Sequence, residues 1–196
     1  MSDLQRGDGV DLSDILNADL LLGNSALAAS AWFGSRRLSG TAKLFLSLSA
    51  AHGAASHQIA RRCGQAGLAA HVCALAPPRA DFVDALDAAQ EILRREQAAL
   101  AALDHVARAS TTLARGSGAL VAAVLQTQRT LTRASSFLER GTARHGSDAG
   151  QLERWALREA RRFHSLLAGN PPRVDTYPSR PRSGRHGRSL SKEALV

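Results

Sequence analysis

The chain has 196 residues, is 44% hydrophobic and only 4% aromatic, and carries a formal net charge of +8. That length and apolar content suit one globular domain with a buried core, and the dominance of alanine and leucine points to an all-α protein. No run of about eighteen apolar residues is present to span a membrane, and Cys63 and Cys73, without CxxC or His/Cys zinc spacing, are too few for a disulfide framework.

Residues 1–10 read as a polar N-terminal extension without the basic start and apolar centre of a signal peptide. A reducing compartment, the cytoplasm, is expected. The folded domain is expected over 11–168. Its first helix is predicted from about Leu12 to Arg37, opened by Asp11 or Ser13, with Gly34 and Gly40 bracketing its end. Its apolar stripe is Leu12, Ile15, Leu22, Ala26, Ala29 and Phe33, interrupted by Asp19. A second helix follows from Ser39–Thr41 to about Gly64. In it Leu44, Leu48 and Ala51 lead to a patch containing His52 and His57.

The connection GLAAHVCALAPPRAD contains the Pro77–Pro78 break. Asp81 is a candidate cap for a third helix, predicted from about Phe82 to Leu113. Its stripe, Leu86, Ala89, Leu93, Leu100, Leu103 and Ala107, is broken by Glu96. The segment ARGSG reads as a turn, followed by a fourth helix from about Ala119 to Arg140, where Leu120, Val124, Leu131 and Leu138 frame Gln128. GTARHGSDAG breaks the pattern, and Asp148 opens a fifth helix over about Ala149–Leu167.

The connection lengths constrain the topology. Short turns make helices one and two, and helices three and four, antiparallel pairs. The long proline-containing segment is long enough to return the chain along the bundle. The predicted architecture is therefore a four-helix bundle with one long crossover and a short fifth helix. Each of the four long helices offers a polar group near its middle. A lone buried carboxylate costs several kcal/mol or stays protonated, and facing an imidazole and a cation relieves that cost. Iron suits such oxygen and imidazole donors. The plainer alternative is that each group lies at a stripe edge and reaches water.

Residues 169–196 are rich in Pro, Ser, Gly and Arg and read as a basic, solvated, disordered tail. Arg180, Arg182, Arg185 and Arg188 are its candidate contacts to nucleic acid, an anionic surface or an import receptor, the last admitting a nuclear location.

Four segments together resemble the eukaryotic ferritin family, weakly in identity but in order over roughly residues 10–167. ILNADLLLGNSALAASAWF is similar to the family's first helix and places its metal-binding glutamate at Asp19. DFVDALDAAQEILRREQAALAALDHVA resembles the third helix, with Phe82 for the usual tryptophan and the iron-binding glutamate at Glu96. LVAAVLQTQRTL resembles the fourth and places its glutamine at Gln128, while SDAGQLERWALREA is similar to the opening of the fifth. The resemblance implies a ferritin-like bundle, iron (Fe2+/Fe3+) bound at Asp19, His57, Glu96 and Gln128, and a 24-subunit shell, homo-oligomeric or built with other ferritin chains. The role implied is iron storage and intracellular iron homeostasis.

The departures point to a degenerate ferroxidase site. Ala26 stands where the family has a tyrosine. In the register that puts a histidine at His57, Ala54 stands where it has the bridging glutamate. The family's acidic mineral-nucleation face and three-fold pore acids are missing from AHGAASHQIARR and GSGALV. A reduced or lost ferroxidase activity is expected. The alternatives are a metal-free helical interaction protein, a structural shell subunit, and a basic protein acting on nucleic acid through its tail.

Overall fold

A computed structural model describes residues 12–65, 71–109 and 115–168. The described residues form five helices: α1 Leu12–Ser35, α2 Ser39–Gln65, α3 Ala85–Ala109, α4 Arg115–His145 and α5 Ala149–Leu167. The N-terminal extension and the tail, with Arg180, Arg182, Arg185 and Arg188, lie outside the described residues.

The long connection does return the chain. It leaves beside the start of α1, where Ser13 Oγ accepts from the His71 amide and Asn17 bonds the His71 carbonyl and the Cys73 amide, each at 3.0 Å. It arrives beside the end of α1, where Phe82 meets Trp32 edge-on at 6.0 Å. α1 pairs with α2 and α3 with α4; α1 also lies against α3, and α2 against α4. α5 packs across the end of α4 and the start of α2.

Several ends fall away from their expected places. α1 stops at Ser35, because Arg37 takes the left-handed conformation, φ 61°, and the Leu38 amide bonds back to the Phe33 carbonyl. α3 starts at Ala85 rather than Phe82. Its cap is Asp84, not Asp81: Asp84 Oδ1 accepts from the Asp87 amide at 2.8 Å. Asp87 is in turn gripped by both Arg79 NH groups, which hold its carboxyl below the usual range. α4 starts before Ala119, with Gly116 and Gly118 inside it, and runs past Arg140 through Gly141 to His145; the break falls at residues 146–148, inside the second glycine-containing segment. Gly141 serves packing instead. A Cβ at that position would overlap the Trp155 ring of α5, so only glycine lets the two helices approach this closely.

The buried stripes follow the expected spacing on α1, α2 and α4. On α3 the stripe is rotated: Ala85, Ala88, Ala89, Ile92 and Leu103 are buried, while Leu86 and Leu93 are half-buried. The apolar core divides in two. The larger part, at the α5 end, contains Phe33, Phe45, Ile92, Leu138, Leu152 and Phe163. The smaller, at the other end, contains Ile15, Leu16, Ile59, Cys63, Leu103 and Val124. Each fully buried large apolar side chain contributes roughly 1.5–3 kcal/mol.

α5 also caps α2. The Glu153 carboxylate accepts from the backbone amides of Gly40 and Thr41 and from the Ser39 hydroxyl, satisfying donors left open in the first turn of α2. Its burial raises the carboxyl pKa, but these bonds outweigh that and hold it below the usual range. The stabilisation is therefore present above the free value of 4.5 and lost as pH falls through the folded one. Glu153→Ala is expected to cost about 0.5–2 kcal/mol at neutral pH. Urea unfolding at pH 7 and pH 4 checks this; an equal cost at both would rule out the capping carboxylate as the cause.

Candidate metal centre

Between the two apolar regions lies a polar layer. Asp19 of α1, His52 of α2, Glu96 of α3 and Gln128 of α4 are each 2% exposed or less. His52 Nδ1 lies 3.1 Å from Asp19 Oδ1, and Nε2 lies 2.9 Å from Glu96 Oε1. Ser135 Oγ donates to the same Glu96 oxygen at 2.7 Å. The other, Oε2, lies 3.4 Å from Thr132 Oγ1, which is also 2.9 Å from the Gln128 carbonyl. Ser56 Oγ bonds the His52 carbonyl at 2.9 Å. In its assigned orientation, the Gln128 amide leaves Nε2 buried with no partner.

Three of the four expected residues, Asp19, Glu96 and Gln128, are brought into this layer. His57 is not: its side chain is exposed. The imidazole in the layer belongs to His52. The inner face of α2 is Leu44, Leu48, His52, Ala55 and Ile59. His57 lies five residues beyond His52, about 140° around the helix. The i+4 step from Leu44 through Leu48 leads to His52, and that was the signal in the sequence. Gly23 of α1 allows the approach: a Cβ on it would lie 3.3 Å from His52 Cβ.

The electrostatics follow from burial and pairing. Burial alone would pull the His52 pKa down, but the hydrogen bonds and charges of Asp19 and Glu96 outweigh it and push the pKa up from 6.5 to about 9. The Asp19 carboxyl is raised, with desolvation the largest cause and His52 partly offsetting it. With His52 raised, its stabilising charge is fully present below about pH 6.5 and lost as pH rises through about 9. Urea midpoints are therefore expected to fall across that window in the wild type and to flatten in the triple variant Asp19→Leu/His52→Leu/Glu96→Leu, which keeps none of the layer's titratable side chains. A wild-type midpoint constant from pH 6.5 to 9.5 would contradict the pairing.

The donor set does not fit a pair of metal ions. Both ring nitrogens of His52 face carboxylate oxygens, so neither turns a lone pair toward a cation. The orphaned Gln128 Nε2 is a donor and seeks an oxygen. α2 contains no carboxylate. Ala54, where the bridging glutamate was expected, is exposed, and Ala26, at the tyrosine position, is packed in the apolar core. Beside Asp19, a recess of ≈ 10 Å³ bounded by Gln58, Arg62 and Thr127 has room for about one water. Two-metal centres need ions about 3.5–4 Å apart with bridging oxygens. Among the described residues no group of three or more His, Cys, Asp or Glu side chains is arranged to hold a metal.

The architecture is a ferritin-like four-helix bundle. The chain is similar in structure to an iron-soaked variant of PmFTN, with TM-score 0.67 and 19% identity over 74% of this chain and 94% of that one. It is also similar to an open-pore ferritin from the hyperthermophilic archaeon Archaeoglobus fulgidus, with TM-score 0.69 and 12% identity over 76% of this chain and 92% of that one. An engineered closed form of the Archaeoglobus fulgidus ferritin matches with TM-score 0.69 at 13% identity, over 76% and 91%. No protein-family model and no curated protein matches the sequence. Among the described residues no helix is long and apolar enough to cross a membrane.

Proposed function

We propose that the chain is a ferritin-like shell subunit whose role is in iron storage and intracellular iron homeostasis, and whose own di-iron ferroxidase site is degenerate. The observation that carries this reading is the buried polar layer placed across the middle of a ferritin-like bundle. Asp19, Glu96 and Gln128 are the residual carboxylate and amide positions of such a site. The α2 position between the two carboxylates holds an imidazole in place of a bridging carboxylate. Iron here is cargo and substrate. The chain's contribution is to form shell wall, alone or beside catalytically complete ferritin chains that oxidise the metal.

Sedimentation of the purified chain, alone and co-expressed with a complete ferritin chain, tests the assembly. Particles of shell size in either case are expected; monomer alone at micromolar concentration in both would count against it. Oxygen consumption on adding ferrous iron tests the degenerate site. The chain alone is expected to be slow, and a rate matching a complete ferritin would contradict the reading. A shell that forms but takes up no iron in mixed assemblies would favour a metal-free structural subunit.

A further inference from the structure

We infer that His52 occupies the place of a metal cation in the polar layer, so that the layer is complete without any ion and becomes a cation site only when this imidazole is removed. This rests on reading the layer as a degenerate iron centre. The argument is geometric. Asp19, His52 and Glu96 come from three different helices, and all are buried. The ring lies between the two carboxylates, with one nitrogen on each, at 3.1 and 2.9 Å. An imidazole donates from both nitrogens only as the cation. The ring thus does two things a bridging metal does: it balances carboxylate charge and ties α1, α2 and α3 together. Among the described hydrogen bonds and ion pairs, no other cationic side chain reaches either carboxylate. Removing the ring would leave two buried carboxylates facing a vacated space on a scaffold that still holds them in place. Oxygen donors converging in that way suit a divalent cation.

The experiment is a thermal melt of the full chain under anaerobic conditions with a chelator, with ferrous iron, and with Zn2+ as a redox-inert probe. Wild type is expected to melt at one temperature in all three. His52→Ala is expected to melt lower in chelator and to rise by several degrees with either metal. That rise should vanish in the double variant His52→Ala/Glu96→Gln, which excludes binding at surface histidines. Stabilisation of the wild type by metal, lost in His52→Ala, would overturn the inference by making His52 a ligand. A metal-insensitive His52→Ala would overturn it too.

Should His52→Ala fail to fold, His52→Lys and His52→Gln decide. The lysine variant keeps a cation and is expected to be the more stable in chelator. The glutamine variant should gain stability with Zn2+; the reverse order overturns the inference. Particle size is read separately, so failure of this inference leaves the shell reading standing, and the converse also holds.

Discussion

Glu96→Leu is expected to destabilise the bundle by about 3–5 kcal/mol, although it places an apolar side chain at a position where the helix spacing asks for one. The wild-type carboxylate accepts from His52 Nε2 and from Ser135 Oγ. Leucine would leave a buried imidazole and a buried hydroxyl without that acceptor. The cost is therefore that of the stranded partners, and it exceeds what the added apolar surface returns. In a chain of this size a loss of this kind moves the melting midpoint by roughly 2–4 °C per kcal/mol. The triple replacement Asp19→Leu, His52→Leu and Glu96→Leu removes the partners together. It is expected to recover most of the loss, since apolar replacement of an entire buried ionic cluster is often neutral or stabilising. Urea unfolding of the wild type, the single and the triple variants measures both effects. A stabilising Glu96→Leu, or a triple variant no better than the single, would show that the layer is not one coupled unit.

Gly141→Ala is expected to cost about 1–3 kcal/mol, more than a glycine-to-alanine change inside a helix normally could, and with the opposite sign. Helix propensity alone favours alanine. Here the added methyl would enter the Trp155 ring, and that ring is itself held, at 5.5 Å from Phe137 and stacked on His145 at 6.2 Å. With the ring confined on both sides, the strain passes into the α4–α5 contact. Faster amide exchange across α5, alongside the lower urea midpoint, is the expected signature. An unchanged or raised midpoint would mean that α5 shifts at little cost.

These two positions mark what could be read from the residues alone. Asp19, Glu96 and Gln128 were legible because each interrupts an otherwise apolar stripe near mid-helix, and a buried polar group is more informative than another leucine. His52 was harder to choose. The family spacing favoured His57, whereas the Leu44–Leu48 step leads to His52, and the side-chain packing follows the step. The facing of α3 was obscured by its alanines. With alanine on several faces, Leu93 and Ile92 compete for the seam, and the neighbouring helices select Ile92. Gly116, Gly118 and Gly141 looked like helix ends, yet all lie within α4. A glycine signals an end only when nothing requires the absence of a side chain, and Trp155 requires it at Gly141. Ser135 and Thr132 carried no signal, since hydroxyls on an α-helix usually bond their own turn.

The polar layer also fixes alignment. Apolar surfaces made largely of alanine and leucine pack almost equally well after one helix slides along another, because one aliphatic contact replaces the next. The hydrogen bonds at His52 do not tolerate such sliding. A slip of one helical turn, about 5.4 Å, would carry Glu96 away from the ring on α2 and set it against the buried apolar side chains one turn from His52, such as Leu48 or Ala55. The α1–α2 and α3–α4 hairpins can each close locally, but Asp19 and His52 lie on one and Glu96 on the other. Docking of the two hairpins is thus keyed at one depth, as a notch keys two otherwise smooth rods, and misaligned pairings are penalised by a stranded charge.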